Sequence, residues 1–210
     1  EVDTVRTVPP RTRLTWGVNS LFVTLPIQVG FIVAQFGASA EVLGLYFLAY
    51  QVSLGLSGLV SVPLARVALS SLSNETLDRR VPLSMELCRL FVFAVSGLAA
   101  LVSLFAPLIG SVLGAEWTAA APAVVILLAS LAVRMMSPIL DGLQQANNRW
   151  WQGTAFNAVD TAGTAAAALV SFTGDLMLLV SAVAIWKVLF GLVRAAWLLR
   201  SARPVAVMAT

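Results

Sequence analysis

The chain has 210 residues, of which 59% are hydrophobic and only 11% charged, with a formal net charge of +3 and a mean hydropathy of +0.90. Soluble domains carry about 25% charged and about 45–50% apolar residues, so this chain cannot clothe a globule in polar surface, and a soluble enzyme, a disordered tail and a collagen-like rod are disfavoured. With no His and the single cysteine Cys88, His bases, His-centred triads, an internal disulfide and paired-Cys metal sites are excluded, and no cofactor or metal is expected.

At ~20 apolar residues per span, the composition predicts an all-α polytopic membrane protein: a bundle of six transmembrane helices over residues 14–203, with a tail at 204–210. Residues 1–13 carry Pro9-Pro10, Arg6, Arg11 and Arg13 and no apolar core for a signal peptide. They read as a cytoplasmic linker into the first span, and since the chain opens on Glu1 it is expected to be the back part of something longer. The first span falls within 14–40, uncharged between Arg13 and Glu41, and the second within 42–65, ending at Arg66. The polar stretch SSLSNETLDRRVPLSMELCR then predicts a short surface helix feeding a third span at 90–115. The fourth runs from about Trp117 to Ile139 and contains Arg134; the fifth, from about Trp150 to Phe172, surrounds Asp160; the sixth, from about Leu176 to Leu199, surrounds Lys187.

The charges set the orientation. With the N-terminus cytoplasmic, that side receives Arg6, Arg11, Arg13, Arg66, Arg79, Arg80, Arg89, Arg149, Arg200 and Arg203, and Arg134 and Arg194 snorkel towards it from their helix ends. The opposite loops, around Glu41, Glu116 and Asp175, hold no Lys or Arg. This positive-inside pattern predicts both termini cytoplasmic. The basic residues do not gather into a groove, so no nucleic-acid partner is expected. Trp16, Trp150, Trp151 and Trp197 fall at the cytoplasmic interface and Trp117 at the outer one, whereas Trp186 is too deep for a belt residue. Pro26, Pro63, Pro107, Pro122 and Pro138 predict kinks in four of the spans.

Specific segments then carry a resemblance. Gly44-Leu45-Tyr46, Ala49-Tyr50-Gln51, and Pro63 followed by Arg66 resemble the start of the C-terminal half of oligosaccharide flippases. FAPLIGSVLGAEWTAAAPAVVILLAS and LDGLQQANNRWWQ are similar to later segments of the same family, in the same order. The family belongs to the superfamily of multidrug, oligosaccharidyl-lipid and polysaccharide exporters. The resemblance implies a two-lobed transporter that moves undecaprenyl-linked sugar from the inner to the outer leaflet, this chain supplying the second lobe. Gln28 stands roughly where that family often has an acidic residue in the first helix of the lobe.

Candidate site residues come from groups that are costly in a bilayer. A charge at mid-membrane costs about 2.5–3.5 kcal/mol on insertion scales. Asp160 and Lys187 stand about equally far on either side of the turn near Thr173-Gly174-Asp175, so they reach similar depth and can pair. The pair reads either as a structural clamp or as a coupling or substrate site. Asn157, Asp160 or Thr161, and Thr164 form one polar stripe, and the small residues of Thr161–Ala168 allow close helix approach. Ser20, Thr24 and Gln28 form a second stripe, and Tyr46, Tyr50, Ser53 and Ser57 a third, with Gln51 alongside. Facing lipid, these groups would be stranded; they face protein, for helix–helix hydrogen bonding, or a water-filled cavity suited to sugar. Arg66 and Arg134 near the cytoplasmic openings are candidates for a pyrophosphate, or serve as positive-inside anchors. Glu75, Asp78, Arg79 and Arg80 read as a solvated surface.

The sequence therefore points to a non-enzymatic transport lobe in the bacterial inner membrane, flipping lipid-linked oligosaccharide for cell-surface polysaccharide by alternating access. Its expected partners are the bilayer, the polyprenyl-linked oligosaccharide, and an N-terminal lobe or a second copy. A drug exporter of the same superfamily and a non-transporting scaffold subunit are the alternatives. A membrane sugar transferase is disfavoured because the outer loops are short and hold one carboxylate each.

Overall fold

The computed structural model describes residue 25, residues 28–147 and residues 149–201, and these are helical throughout apart from short turns. Helix α1 (Gln28–Gly37) leads through a tight turn into α2 (Ala40–Asn74), whose N-cap Ser39 accepts from the Val42 amide at 3.3 Å. Then come α3 (Leu77–Ser103), α4 (Ile109–Leu113), α5 (Ala120–Arg134), α6 (Met136–Ala146), α7 (Trp150–Ala168) and α8 (Leu176–Ser201). Among the described residues four segments are long and apolar enough to cross a membrane: Ala40–Asn74, Leu77–Leu113, Ala120–Ala146 and Leu176–Leu198. These mark the chain as a membrane protein. The third is the most buried of the four, because α5 packs against α2, α3 and α8, and α6 against α2 and α3.

Several boundaries differ from the sequence reading. The polar stretch after Arg66 forms no separate surface helix: α2 continues to Asn74 and α3 starts at Leu77 and passes through Pro82. The turn is closed by Arg80, which donates to the Glu75 carbonyl at 3.1 Å, the Ala146 carbonyl at 2.7 Å and the Asn147 side chain at 3.0 Å. Arg80 is thus not part of a solvated surface. It satisfies carbonyls at two helix ends, which otherwise lack partners. At 1.5 Å per residue α2 is about 50 Å long, more than the ~30 Å hydrocarbon core, so the hairpin bearing exposed Arg66, Arg79 and Arg89 has room to project past it.

The prolines act unequally. Pro107 lies in the 3₁₀ turn Ala106–Leu108 that ends the third span's helix, and Pro138 follows the break at Met135 between α5 and α6. Pro122 sits in the first turn of α5, where its missing N–H costs nothing. Pro63 lies in uninterrupted α2, and Pro26 is outside the described residues. The sixth helix begins as the sequence implies: Gly174 takes a left-handed φ of 73°, and Asp175 accepts from the Met177 and Leu178 amides at 2.8 and 3.1 Å.

The apolar core is split in two. One cluster joins Tyr46, Ala49 and Tyr50 of α2 to Val124, Leu127, Leu128 and Leu131 of α5 and Leu179, Val180 and Val183 of α8. The other joins Leu64, Ala68 and Leu72 of α2 to Cys88, Ile139, Leu140, Leu143, Ala195 and Leu198. The buried positions of α2, among them Tyr46, Tyr50, Ser53, Ser57, Leu64, Ala68 and Leu72, recur at helical spacing and run through both clusters.

Close approach in the second cluster depends on Gly142, where a β-carbon would lie 3.3 Å from the Leu69 backbone nitrogen and 3.5 Å from Ala68. A larger side chain there must push α6 off α2. Gly142→Leu is expected to lower stability by about 1–3 kcal/mol, the usual cost of overpacking. Gly44→Leu, at a position where a β-carbon meets nothing within 4 Å, is expected to be near neutral. Thermal unfolding of both variants in detergent checks the contrast, and equal midpoints would remove this contact as a constraint.

Candidate functional site: a charged layer between two apolar clusters

Three of the helices bury polar side chains where they pack together. On α2 the buried residues there are Ser53 and Ser57; on α7, Thr154, Asn157 and Thr164; on α8, Lys187 and Arg194. The polar stripe of α7 is its buried stripe, while Trp151 and Val159 face outward. This helix is inverted relative to a soluble one, as expected where the surroundings are apolar and polar groups must find partners inside.

Asp160 is the focus. Lys187 Nζ donates to its Oδ2 at 2.8 Å, and the Trp186 indole N–H donates to its Oδ1 at 3.0 Å. Thr164 donates to the Asp160 backbone carbonyl at 2.7 Å, and Thr161 likewise to the Asn157 carbonyl at 2.8 Å. Lys187 is 8% exposed and Asp160 17%, so the pair is largely withdrawn from solvent. Lys187 stands about 16 Å into α8 at 1.5 Å per residue, near the middle of an apolar helix.

Trp186, too deep for an interfacial belt, now has its explanation. Its ring lies over Gly163, where a β-carbon would come within 1.9 Å of it, and stacks on Phe190 at 5.6 Å and 22°. Gly163 leaves the space that lets the indole reach the Asp160 carboxylate.

A second ion pair lies two turns along α8. Arg194 Nη2 donates to Asp141 Oδ1 and, at 2.9 Å, to Gln144 Oε1. Its guanidinium carbon is 5.2 Å from the centre of the Phe156 ring. Arg194 is 1% exposed, so it does not snorkel to the interface: its partners lie inside, on α6. The sequence reading missed Asp141 and Gln144 because it ended the fourth span at Ile139, whereas α6 runs on to Ala146. The signal was available, since Arg194 lies seven residues after Lys187 and therefore on the same face.

The layer borders a half-open pocket of about 140 Å³ lined by Ser57, Ser61, Arg134, Asp141, Asn157, Asp160 and Lys187 among others. Arg134 stands beside the Tyr50 hydroxyl, and the Tyr46 and Tyr50 rings lie 5.8 Å apart. Of the residues singled out from the sequence, Tyr46, Tyr50, Ser53, Ser57, Arg134, Asn157, Asp160 and Lys187 thus gather in or beside this layer. Gln28, Gln51 and Arg66 are exposed on the outside of the bundle, apart from it. Ser20 and Thr24 lie outside the described residues. Among the described residues no cluster of His, Cys, Asp or Glu could hold a metal ion. Comparisons of the chain with protein-family models, curated proteins and solved structures return no match.

Removing one member of a buried pair strands the other, at a cost of about 3–5 kcal/mol. Asp160→Asn and Lys187→Ala are therefore each expected to destabilise the protein strongly, and the swap Asp160→Lys with Lys187→Asp to recover part of the loss, as read by thermal unfolding. Two single variants that melt like the unaltered chain would refute the coupling. Gly163→Ala is expected to expel the indole and cost about 1–3 kcal/mol. Adding Trp186→Ala should make the Gly163 substitution nearly silent, and a double-mutant cycle with no interaction energy would disprove the contact.

Proposed function

We propose that the chain is one lobe of a flippase of the oligosaccharide flippase and polysaccharide exporter family. It carries a polyprenyl-linked oligosaccharide across a bacterial inner membrane for cell-surface polysaccharide synthesis. In this reading the lobe has six spans, α1 and α7 completing the set, with both termini cytoplasmic.

The observation that carries the proposal is the outer face of α1 and α2. Phe31 and Phe47 meet at 5.2 Å, which sets the two antiparallel helices side by side. Gln28, a turn before Phe31, and Gln51, a turn after Phe47, therefore fall on the same side of that contact, and both are exposed. Two amides on the outside of apolar helices would be stranded in lipid. A second lobe across a wet cavity satisfies them and offers the amide and hydroxyl partners that sugar recognition needs. The interior supports the rest of the reading. The Asp160–Lys187 and Asp141–Arg194 pairs fasten α6, α7 and α8 to one another, and alternating access requires each lobe to rock as a unit. Both carboxylates are already neutralised by a cation, which disfavours a drug exporter that grips cationic compounds.

A single lobe lacks the opposite wall of the cavity. Reconstituted in proteoliposomes, these 210 residues alone are expected not to flip a labelled polyprenyl-linked sugar above the lipid-only rate. Co-reconstitution with an N-terminal lobe of the family should restore flipping, and Gln28→Leu with Gln51→Leu should abolish it. Flipping by the chain as a monomer at the two-lobe rate, or no flipping with the second lobe present, would overturn the proposal.

A further inference from the structure

A second hollow lies between α3 and α5. It is a half-open groove of about 410 Å³, lined mainly by Ser96, Ala99, Ala100 and Ser103 of α3 and by Ala129 and Ala132 of α5. The alanines end at their β-carbons and leave a trench where two packed helices meet. Ala99 and Ala132 are buried while Ala100 and Ala129 are exposed, so the trench opens on the outer surface of the bundle. Ser103 donates to the Ala99 carbonyl of its own helix at 2.7 Å, so its hydroxyl needs no other partner. Around the groove α3 exposes Phe93, Leu101 and Leu104, a surface suited to an apolar surrounding. From Ser96 to Ser103 the groove is about 10 Å long at 1.5 Å per residue. Seven residues before Ser96, and so on the same face of α3, stands the exposed Arg89. Residues 90–103 carry no charge. Among the described residues Arg89 joins neither ion pair.

We propose that this groove holds the acyl chains of one bilayer phospholipid whose anionic headgroup is bound by Arg89. Charge selects the headgroup, because a basic residue at the end of a span attracts anionic lipid. Width selects chains over a protein partner. A volume of about 410 Å³ spread over about 10 Å of helix leaves a section of about 40 Å², half the roughly 80 Å² of a helix about 10 Å across. Depth agrees as well. The groove begins about 10 Å from the level of Arg89 and ends about 20 Å from it, which brackets the ~15 Å half-thickness of the hydrocarbon core. Chains hanging from a head at Arg89 therefore end inside it. The groove shares no residue with the pocket beside Asp160 and Lys187. The site goes beyond the flippase reading and depends on no transported substrate, only on the membrane character of the chain.

The test is native mass spectrometry of the full chain in detergent, titrated with phosphatidylglycerol and, separately, with zwitterionic phosphatidylcholine. One phosphatidylglycerol per chain is expected, retained about fivefold more tightly than phosphatidylcholine, the usual contribution of one arginine at an anionic lipid surface. Arg89→Gln should lower retention of phosphatidylglycerol to the level of phosphatidylcholine, and Arg79→Gln, on the exposed hairpin, should change nothing. Ala100→Trp and Ala129→Phe, which fill the groove from its exposed rim, should each weaken retention of both lipids at least ~10-fold. Circular dichroism checks the fold of each, and where one groove variant fails to fold the other is read, with Arg89→Gln as the independent arm. Equal retention of the two lipids by the unaltered chain, or retention indifferent to the groove substitutions in folded protein, overturns the site. So does a loss of dimer mass in the groove variants with lipid retention unchanged, which would assign the groove to a second copy of the chain. Flipping activity does not enter the measurement, so failure of the flippase reading leaves this result standing.

Discussion

The fold is organised around the carboxylate of Asp160. It lies near the middle of the bundle, between two apolar clusters, and receives Lys187 and Trp186 from α8. A lone carboxylate at that depth would cost several kcal/mol, so α7 and α8 are held in the register that brings these groups together. That register places Thr164 and Asn157 inward and Val159 outward on α7, and on α8 it carries Arg194 two turns further to meet Asp141 of α6. One electrostatic requirement thereby orders three helices.

Packing follows from the same requirement. The indole of Trp186 needs Gly163, because any side chain there would occupy its ring. Gly191, one turn beyond Lys187, lets Val133 of α5 come within 2.8 Å of where a β-carbon would stand, which brings α5 and its successor residue Arg134 against α8. Gly142 does the same for α6 against α2. These glycines weaken the helices that hold them. Within a membrane, where association depends on close contact more than on water exclusion, small residues at the contact offset that loss.

How much of this could be read from the sequence depended on the kind of signal. Uninterrupted apolar runs gave α2, α3, α5 and α8, because a charge-free stretch of that length has few other fates. The Asp160–Lys187 pair was legible because two charges stood at matching distances from one turn. The α2–α3 hairpin was not: its polar residues read as a surface segment, and nothing in the sequence showed that Arg80 would reach the end of α6 some 66 residues away. Arg194 was misread for a related reason. Its position near a helix end fitted snorkelling, and only its partners on α6, beyond the point where the fourth span was thought to stop, reveal that it is buried. Local pattern predicts helices well, whereas long-range pairing of single side chains leaves little trace in it.

The charged layer is a poor way to gain stability. Replacing buried ion pairs with well-packed apolar residues is often neutral or stabilising by about 1–4 kcal/mol, and the clusters on either side of the layer show that this chain can form such cores. A purely structural role explains two matched pairs, since they fix the register of α6, α7 and α8.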